Sequence, residues 1–363
     1  MSPVRVLIVD DSALARSVIS RRLSADPEVL VVGQAANGEQ ALASLRDLKP
    51  DVITLDVQMP RMDGLAALGR IMAESPTPVV MLSSLTGDDT ETTIKALELG
   101  AIDFFLKPAA SSPAGFDGSG KSLVETVKMA AAVPRSRLGA RPRQPQAVAR
   151  PSVSAQRPLH HVRGSLPRRA VVIGSSTGGP RALMDVVPHL PAELDAGYLL
   201  VQHMPPGFTK SLAERLRSAS AIEVKEAATG DRIESGKALM APGGFHMEVD
   251  ASGVVSLTQA PPLHGVRPAV DVTMETAVRA FGAATVGVVL TGMGMDGARG
   301  CGLIKAAGGH VAVQDESTCA VYGMPKSVVD AGHADVVAPI TRIANEVVRL
   351  CSIESRRDAA GAA

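Results

Sequence analysis

The sequence predicts an α/β protein built from two doubly wound parallel-sheet domains. Apolar β-branched runs alternate with amphipathic segments in both halves of the chain, and a basic, proline-rich stretch separates the halves. The predicted units are a first domain at residues 1–125, a linker at 126–166, a second domain at 167–355 and a disordered tail at 356–363.

Composition excludes several classes of function. The chain has 363 residues, too many for one typical core, and its 37 acidic residues balance 37 Lys and Arg, so no overall charge favours nucleic acid or a membrane surface. Aromatic residues make up 2%, which disfavours base stacking. Cys301, Cys319 and Cys351 form no C-x-x-C pair, which indicates a reducing compartment without structural zinc. With no secretory signal ahead of the first strand, we expect a cytoplasmic protein.

The first domain reads as five strands with helices between them. Val4–Val9 is a nearly continuous apolar run that ends at Asp10-Asp11-Ser12, as expected of a strand buried on both faces. The later pattern predicts strands at 29–32, 52–56, 79–83 and 102–106, and helices at 12–24, 38–48, 65–74, 90–99 and 122–133.

Polar residues at the ends of these strands predict a phosphoryl-transfer pocket. Asp10, Asp11 and Asp56 would repel one another at one sheet edge unless a cation lay among them, and Mg²⁺ suits such oxygen ligands. Lys107 adds a positive charge, and Ser83 adds a hydroxyl that can contact a phosphoryl oxygen. Asp56 stands alone on a central strand and is the best phosphoryl acceptor. The alternative is that each residue is a helix cap or a turn.

Residues 1 to about 125 resemble a two-component receiver domain, which is flavodoxin-like. The resemblance lies in Asp10-Asp11, Asp56, Met59-Pro60, Asp63-Gly64, Ser83 and Lys107-Pro108. It implies phosphorylation of Asp56 by a histidine kinase with Mg²⁺ as cofactor. Ser83 and Ser84 stand where receivers commonly have threonine, so either hydroxyl can serve. Phe104 is the candidate for the family's switch aromatic, and the alternative is that Phe104 and Phe105 are both core residues.

The segment between the domains is predicted to be a spacer. No Asp or Glu occurs from Lys128 to Met184, while arginines are scattered among Pro, Ala, Gln and Ser. Such a composition cannot bury enough apolar surface to fold. Solvated spacing is favoured over binding of nucleic acid or an acidic surface, and His160-His161 is favoured as linker over a metal site.

The second domain opens with a strand, a tight turn and a helix. Gly174, Ser176 and Gly178 fit G-x-S-x-G, in which a serine hydroxyl is held beyond a strand and beside a helix amino terminus. A phosphate-cradling turn of a nucleotide-binding sheet fits this stretch equally well, so the turn alone does not decide between the two.

Two further strand ends favour catalysis. A strand at 198–203 ends at His203, and a strand at 285–292 is followed by Asp296. Ser176, His203 and Asp296 then lie at one sheet edge and can form a catalytic triad. Glycines around Met293 leave backbone amides free to face an oxyanion. The chain order Ser, His, Asp is not that of α/β-hydrolases.

Residues from about 168 to 352 resemble the catalytic domain of the chemotaxis protein-glutamate methylesterase family, which is Rossmann-like. The resemblance lies in residues 174–179, 202–207, 241–244 and 290–297, with Met295 where related sequences often have Asn. It implies hydrolysis of glutamate γ-methyl esters on methyl-accepting chemoreceptors, usually deamidation of receptor glutamines as well, and no cofactor in this domain. Ser176 corresponds to the nucleophile, His203 to the base, Asp296 to its orienting acid and Met293 to the oxyanion-hole amide.

The leading hypothesis is a monomeric, phosphorylation-gated hydrolase whose receiver covers the Ser176 cleft. A nucleotide-binding module is the alternative, although Ser176 stands where G-x-G-x-x-G needs its second glycine. A DNA-binding output lacks a helix-turn-helix pattern. Pro242-Gly243-Gly244 with His246 is favoured as a hairpin turn that contributes to the rim, and residues 322–325 as a border of the cleft. The remaining histidines are expected to be structural or surface residues: His189, His264, His310 and His333.

Overall fold

The structure, a computed structural model, describes residues 2–84, 87–107, 122–138 and 166–353, with only the backbone described at 87 and 88. Several predictions lie outside these residues: Pro108, most of the linker with His160 and His161, and the tail at 356–363. No helix in the described part of the chain is long and apolar enough to cross a membrane.

The first domain is a five-stranded parallel sheet in the order β2-β1-β3-β4-β5 with helices between the strands, which confirms the predicted α/β class. Its strands are β1 (Val4–Val9), β2 (Val29–Ala35), β3 (Val52–Asp56), β4 (Val79–Ser83) and β5 (Asp103–Leu106). Its helices are α1 (Ala13–Ser24), α2 (Gly38–Leu48), α3 (Gly64–Glu74), α4 (Gly87–Leu99) and α5 (Leu123–Ala131).

Local sequence explains where these helices begin. Ser12, Asn37 and Asp63 are the N-cap residues of α1, α2 and α3, and each side chain accepts a hydrogen bond from the backbone N–H three residues later. Helix α5 spans the predicted domain boundary at residue 125 and packs on β3, β4 and β5. Helix α5 corresponds to the helix predicted at 122–133, and the domain boundary at 125 stays a prediction.

The second domain contains a seven-stranded parallel sheet in the order β14-β13-β12-β6-β7-β9-β8. Its strands are β6 (Arg169–Ser175), β7 (Ala196–Gln202), β8 (Glu223–Glu226), β9 (Lys237–Met240), β12 (Thr285–Val289), β13 (His310–Gln314) and β14 (Val336–Ala338), and an antiparallel hairpin is formed by β10 (His246–Val249) and β11 (Val255–Thr258). Its helices are α6 (Gly179–Val186), α7 (Phe208–Ala219), α8 (Val270–Phe281), α9 (Ala298–Ala306), α10 (Met324–Asp330) and α11 (Ile340–Cys351).

The central strands β6, β7 and β12 are buried along their whole length, as a parallel sheet covered on both faces requires. The strand predicted at 285–292 ends at Val289, and the residues after it form the loop that leads to α9. The hairpin turn was predicted at Pro242-Gly243-Gly244, but these residues join β9 to β10 of a different sheet, and the hairpin turns between β10 and β11. Helix α8 was not predicted from the sequence.

Candidate functional site

The sheet brings Ser176, His203 and Asp296 to one edge. In the β6–β7 pairing Ser175 is opposite Gln202, so Ser176 and His203 are the next residues of two neighbouring strands. Strand β12 pairs with the other side of β6, Val289 opposite Gly174, and the loop after it carries Asp296. Three adjacent strands thus deliver the three predicted residues to the same rim.

His203 and Asp296 are directly hydrogen-bonded. His203 Nε2 lies 2.8 Å from Asp296 Oδ2, and both side chains are almost fully buried. Burial by itself would raise the pKa of Asp296, but the hydrogen bond and charge of His203, with the N–H groups of Asp271 and Val270, outweigh it and hold that pKa below its ordinary value. An ionised Asp296 fixes the proton on Nε2 and leaves Nδ1 as the nitrogen that can accept a proton.

The amino terminus of α8 holds the Asp296 carboxylate from behind. The Val270 N–H donates to Oδ2 at 2.7 Å, and the Asp271 N–H donates to Oδ1 at 2.9 Å. A helix amino terminus favours negative charge because its first N–H groups lack partners within the helix. This arrangement lets a carboxylate stay ionised at 2% exposure.

Gln202 ties the serine turn to the histidine, a role that the sequence analysis did not assign. Its Nε2 donates to the Ser176 carbonyl at 2.9 Å and to the His203 carbonyl at 3.1 Å. A Cβ at Gly179 would lie 2.0 Å from Gln202 Oε1, so this close approach requires glycine. The position of Gln202 next to His203 in the phrase 202–207 was the available signal.

The loop after β12 packs against the candidate nucleophile. The Ser176 N–H donates to the Thr291 carbonyl at 3.0 Å, and a Cβ at Gly292 would lie 2.7 Å from Ser176 Cβ. Met293 follows at this edge with its side chain 46% exposed. The loop therefore approaches Ser176 at backbone distance at Thr291 and Gly292, immediately before Met293.

Carboxylates gather at the corresponding edge of the first sheet. One oxygen from each of Asp10, Asp11 and Asp56 lies within 4.8 Å of the others. Lys107 Nζ lies 2.7 Å from Asp10 Oδ2 and 2.8 Å from Asp56 Oδ1. A cavity of about 220 Å³ opens here, with Gln58, Ser84 and Asp89 also in its lining. Three hard oxygen ligands with room for water fit a magnesium ion.

Burial and charge set the protonation states in this pocket. Burial raises the pKa of Asp56, Lys107 opposes that rise and Asp10 adds to it. Burial by itself would lower the pKa of Lys107, but its contacts with Asp10 and Asp56 outweigh it and raise that pKa. The ammonium group thus stays charged beside the predicted phosphoryl acceptor.

Both halves of the chain match known protein families. The CheB methylesterase family model matches residues 171–347, and the response regulator receiver domain model matches residues 6–113. The protein-glutamate methylesterase/protein-glutamine glutaminase of Symbiobacterium thermophilum is 51% identical over 96% of this chain and 97% of its own length. The protein of the same name from Pyrococcus abyssi is 48% identical over 95% of this chain and 93% of its own.

The chain belongs to the CheB methylesterase family. It is a response-regulator hydrolase with a receiver domain followed by a methylesterase domain, as predicted. The crystal structure of the Thermotoga maritima CheB methylesterase catalytic domain covers 50% of this chain and 98% of its own, at 47% identity and a TM-score of 0.49.

The receiver contacts the methylesterase domain next to Ser176. Asp103 Oδ2 accepts a hydrogen bond from Thr177 Oγ1 at 2.7 Å, one residue after Ser176. The ring of Phe104 stacks on Phe208, the first residue of α7, at 4.4 Å between centroids. Phe104 and Phe105 are both buried core residues, and Phe104 also contacts the second domain. The switch role of Phe104 stays a prediction.

Helix α4 joins the carboxylate pocket around Asp56 to this junction. Gln58 Nε2 donates to Asp89 Oδ1 at 2.8 Å, and Ser83 Oγ lies 2.8 Å from Thr93 Oγ1. On its other side, Glu98 of α4 forms two hydrogen bonds with Arg215 of α7. Ser84 lines the cavity in this structure, while the hydroxyl of Ser83 is directed to α4.

Two histidines make contacts near the candidate site that were not predicted from the sequence. His246 begins β10 and is 1% exposed, so its side chain does not border a groove. Its Nδ1 accepts from the Ala269 N–H at 3.2 Å, just before α8, which makes it a support for that helix. His264, expected to be a structural or surface residue, lies with Nε2 3.0 Å from Asp271 Oδ2, close to Asp296. Its partner is seven residues away across a loop, and no regular spacing indicates the pair.

Proposed function

We propose that the protein hydrolyses glutamate γ-methyl esters on methyl-accepting chemotaxis receptors, and deamidates receptor glutamines, with Ser176, His203 and Asp296 as catalytic residues. The observation that carries the proposal is the 2.8 Å contact between His203 Nε2 and Asp296 Oδ2 at the strand end next to Ser176. The names of the relatives support the substrate class.

Ester cleavage follows from the placement of these groups. His203 Nδ1 takes the proton of Ser176 Oγ as this oxygen forms a bond to the ester carbonyl carbon. The electron pair of the C=O π bond moves onto the carbonyl oxygen, whose charge the Met293 N–H stabilises. When the C=O bond re-forms, the bond to the methoxy oxygen breaks, His203 returns the proton and methanol leaves. Ser176 is then acylated.

Water completes the cycle by the same route. His203 removes a proton from water as its oxygen attacks the acyl carbon, and the proton passes to Ser176 Oγ as the glutamate carboxylate is released. A glutamine side chain passes through an equivalent tetrahedral intermediate and releases ammonia instead of methanol. One site therefore serves the ester and the amide.

The receiver supplies control by phosphorylation. A histidine kinase is the proposed phosphodonor, and its phosphoryl group is transferred to a carboxylate oxygen of Asp56. Asp10, Asp11 and Asp56 would hold Mg²⁺, which when bound neutralises charge on the phosphoryl oxygens. Lys107 Nζ lies 2.8 Å from Asp56 Oδ1, which places its positive charge beside the proposed phosphoryl acceptor. The protein acts in the cytoplasm as a monomer, without nucleic acid, through contact between its own two domains.

Helix α4 offers a path from Asp56 to the active site. A phosphoryl group at Asp56 draws a hydroxyl toward its oxygens, and Ser83 can turn only by leaving Thr93 on α4. Helix α4 packs against α6 and α7, which follow the nucleophile and the histidine loop. A shift of α4 thus loosens the contacts made by Asp103 and Phe104, so that the receiver uncovers the cleft.

Truncation of the aromatic contact is expected to activate the unphosphorylated enzyme. An aromatic pair contributes about 0.5–1.5 kcal/mol beyond its buried area, so Phe104→Ala should raise the basal rate of methanol release by about two- to tenfold. The matched control is Leu14→Ala, because Leu14 is a receiver side chain that is 75% exposed. If the basal rate of Phe104→Ala equals that of the control, the proposed covering role of the receiver is contradicted.

Loss of the acceptor carboxylate is expected to abolish stimulation. In Asp56→Asn, the ratio of methanol release with acetyl phosphate and Mg²⁺ to release without them should fall to about one, because an amide cannot form the acyl phosphate. Asp63→Asn is the matched control, since asparagine still caps α3. Full stimulation of Asp56→Asn would place the phosphorylation site elsewhere.

The experiment that tests the proposed function is methanol release from methylated receptor membranes. The wild type and Ser176→Ala are compared, each with and without acetyl phosphate and Mg²⁺. We expect release by the wild type alone, with an increase on phosphorylation. Release by both proteins at the same rate would refute the serine hydrolase mechanism.

A further inference from the structure

Asp271 lies directly behind Asp296, at the start of α8, and its side chain contacts the start of α9. It is the second residue of α8 and is 1% exposed. Its Oδ1 accepts hydrogen bonds from the Gly297 N–H at 3.0 Å and the Gly300 N–H at 2.7 Å, at the start of α9. Its own N–H donates to Asp296 Oδ1 at 2.9 Å. Asp296 therefore binds the amino terminus of α8, the helix that carries Asp271. Asp271 in turn binds the amino terminus of α9, the helix that follows Asp296.

Backbone groups explain how two carboxylates stay so close at this depth. The first N–H groups of α8 face Asp296, and those of α9 face Asp271, so each charge lies at the positive end of a helix. A Cβ at Gly300 would lie 3.2 Å from Asp271 Oδ1 and 2.6 Å from Met274 Cβ, so a side chain there would force α9 away from α8. Glycine at this position permits the short contact.

His264 completes the arrangement from the solvent side. Its Nε2 lies 3.0 Å from Asp271 Oδ2, and its side chain is 34% exposed. Ligand atoms of His264, Asp271 and Asp296 lie within 4.8 Å of one another, close enough for a cation. However, each carboxylate oxygen already has a hydrogen-bond partner: His203, His264 or a backbone N–H. The cluster is therefore complete as a hydrogen-bonded unit.

We propose that Asp271 is a positioning residue for hydrolysis, which fixes the Asp296 carboxylate against His203, and that His264 orients Asp271. The inference rests on the proposed function of the triad. Without the Asp271 carboxylate, the N–H groups of Gly297 and Gly300 lose their acceptor, and the segment that follows Asp296 loses these two hydrogen bonds to α8. The imidazole of His203 then loses its fixed orientation toward Ser176, which lowers the rate of the chemical steps more than substrate binding.

The test uses the full-length chain with Mg²⁺ and acetyl phosphate on methylated receptor membranes. Asp271→Ala should lower kcat for methanol release by about 100-fold with KM within about twofold of wild type. Asp271→Asn should recover part of the loss, because its amide oxygen can still accept from α9, and His264→Gln should lower kcat by a few-fold. Asp335→Asn is the matched control, because Asp335 Oδ2 accepts from the Val311 N–H at the opposite edge of the sheet.

A second readout separates positioning from general loss of structure. The low-field proton resonance of the His203 ring N–H, observed after ¹⁵N-histidine labelling, should broaden or shift in Asp271→Ala and stay in place in Asp335→Asn. Wild-type kcat and an unchanged resonance in Asp271→Asn and His264→Gln would overturn the proposal, even if Asp271→Ala fails to fold. Equal losses of kcat in Asp271→Asn and Asp335→Asn would also overturn it.

The two proposals fail differently in this experiment. Methanol release that survives Ser176→Ala would refute the hydrolase mechanism, whereas a shifted His203 resonance in Asp271→Ala would still support the positioning role. Loss of release in Ser176→Ala with an unmoved resonance in Asp271→Ala would support the hydrolase and refute the positioning role.

Discussion

Replacement of Ser176 by alanine is expected to lower kcat for methanol release by about 10⁶-fold. The loss is large because the hydroxyl oxygen forms the bond to the substrate, and the residual rate then depends on binding and the oxyanion-stabilising amide alone. Because the triad acts as a unit, Ser176→Ala combined with His203→Ala should be no slower than Ser176→Ala alone. The measurement is methanol release by phosphorylated full-length protein on methylated receptor membranes.

Ser175 provides the matched control for this variant. It is the neighbouring buried serine, and its Oγ donates to Gln202 Oε1 at 2.7 Å. Unlike Ser176, it lies within β6 and not beyond its end. Ser175→Ala removes one hydroxyl and one buried hydrogen bond, which costs stability of about 1 kcal/mol but leaves the nucleophile. We expect its kcat to stay within about tenfold of wild type. A Ser176→Ala variant as active as Ser175→Ala would contradict the assigned nucleophile.

The strand-end residues could be predicted because parallel sheets impose a simple rule. Ser176 and His203 follow apolar runs that must form neighbouring buried strands, and the carboxyl ends of such strands meet at one edge. The prediction of Asp296 needed one more step, because six residues separate Asp296 from the end of β12. The apolar run that predicts a strand at 285–292 supplied that step, and the direct contact of Asp296 with His203 is consistent with it.

The support behind Asp296 could not be predicted from the sequence. Helix α8 reaches the site only after the chain has left the sheet at β9 and passed through the β10–β11 hairpin, and no periodic pattern specifies that path. Asp271 and its partner Gly297 are 26 residues apart. The stack of Phe104 on Phe208 could not be predicted for the same reason, because apolar character predicts burial but does not say which domain covers the ring. Contacts of this kind depend on tertiary packing.

Replacement of Asp296 by asparagine is expected to lower kcat by about 10⁴-fold. Oδ2 accepts from both His203 and Val270, and Oδ1 accepts from Asp271. An amide must turn its NH₂ toward one of these donors in either orientation, which costs about 1–3 kcal/mol. If the NH₂ faces His203, the imidazole proton moves to Nδ1, and that nitrogen can no longer accept the proton of Ser176. Activity of Asp296→Asn within tenfold of wild type would contradict the orienting role.

Asp296→Asn also changes how the stability of the fold depends on pH. The lowered pKa of Asp296 determines the direction of this change. The pKa of Asp296 lies below 3.8 in the folded chain and near 3.8 when unfolded, so the unfolded state binds the proton more tightly. The ionised carboxylate therefore stabilises the fold fully above this range, and that contribution is lost as pH falls through the lower, folded pKa. Asparagine does not titrate. The difference in unfolding free energy between wild type and Asp296→Asn should be constant near neutral pH and shrink below pH 3.8. Hydrogen exchange of the β6 and β7 amides across this range measures that difference, and a gap that widens in acid would show that His203 and α8 do not hold Asp296 in its ionised form.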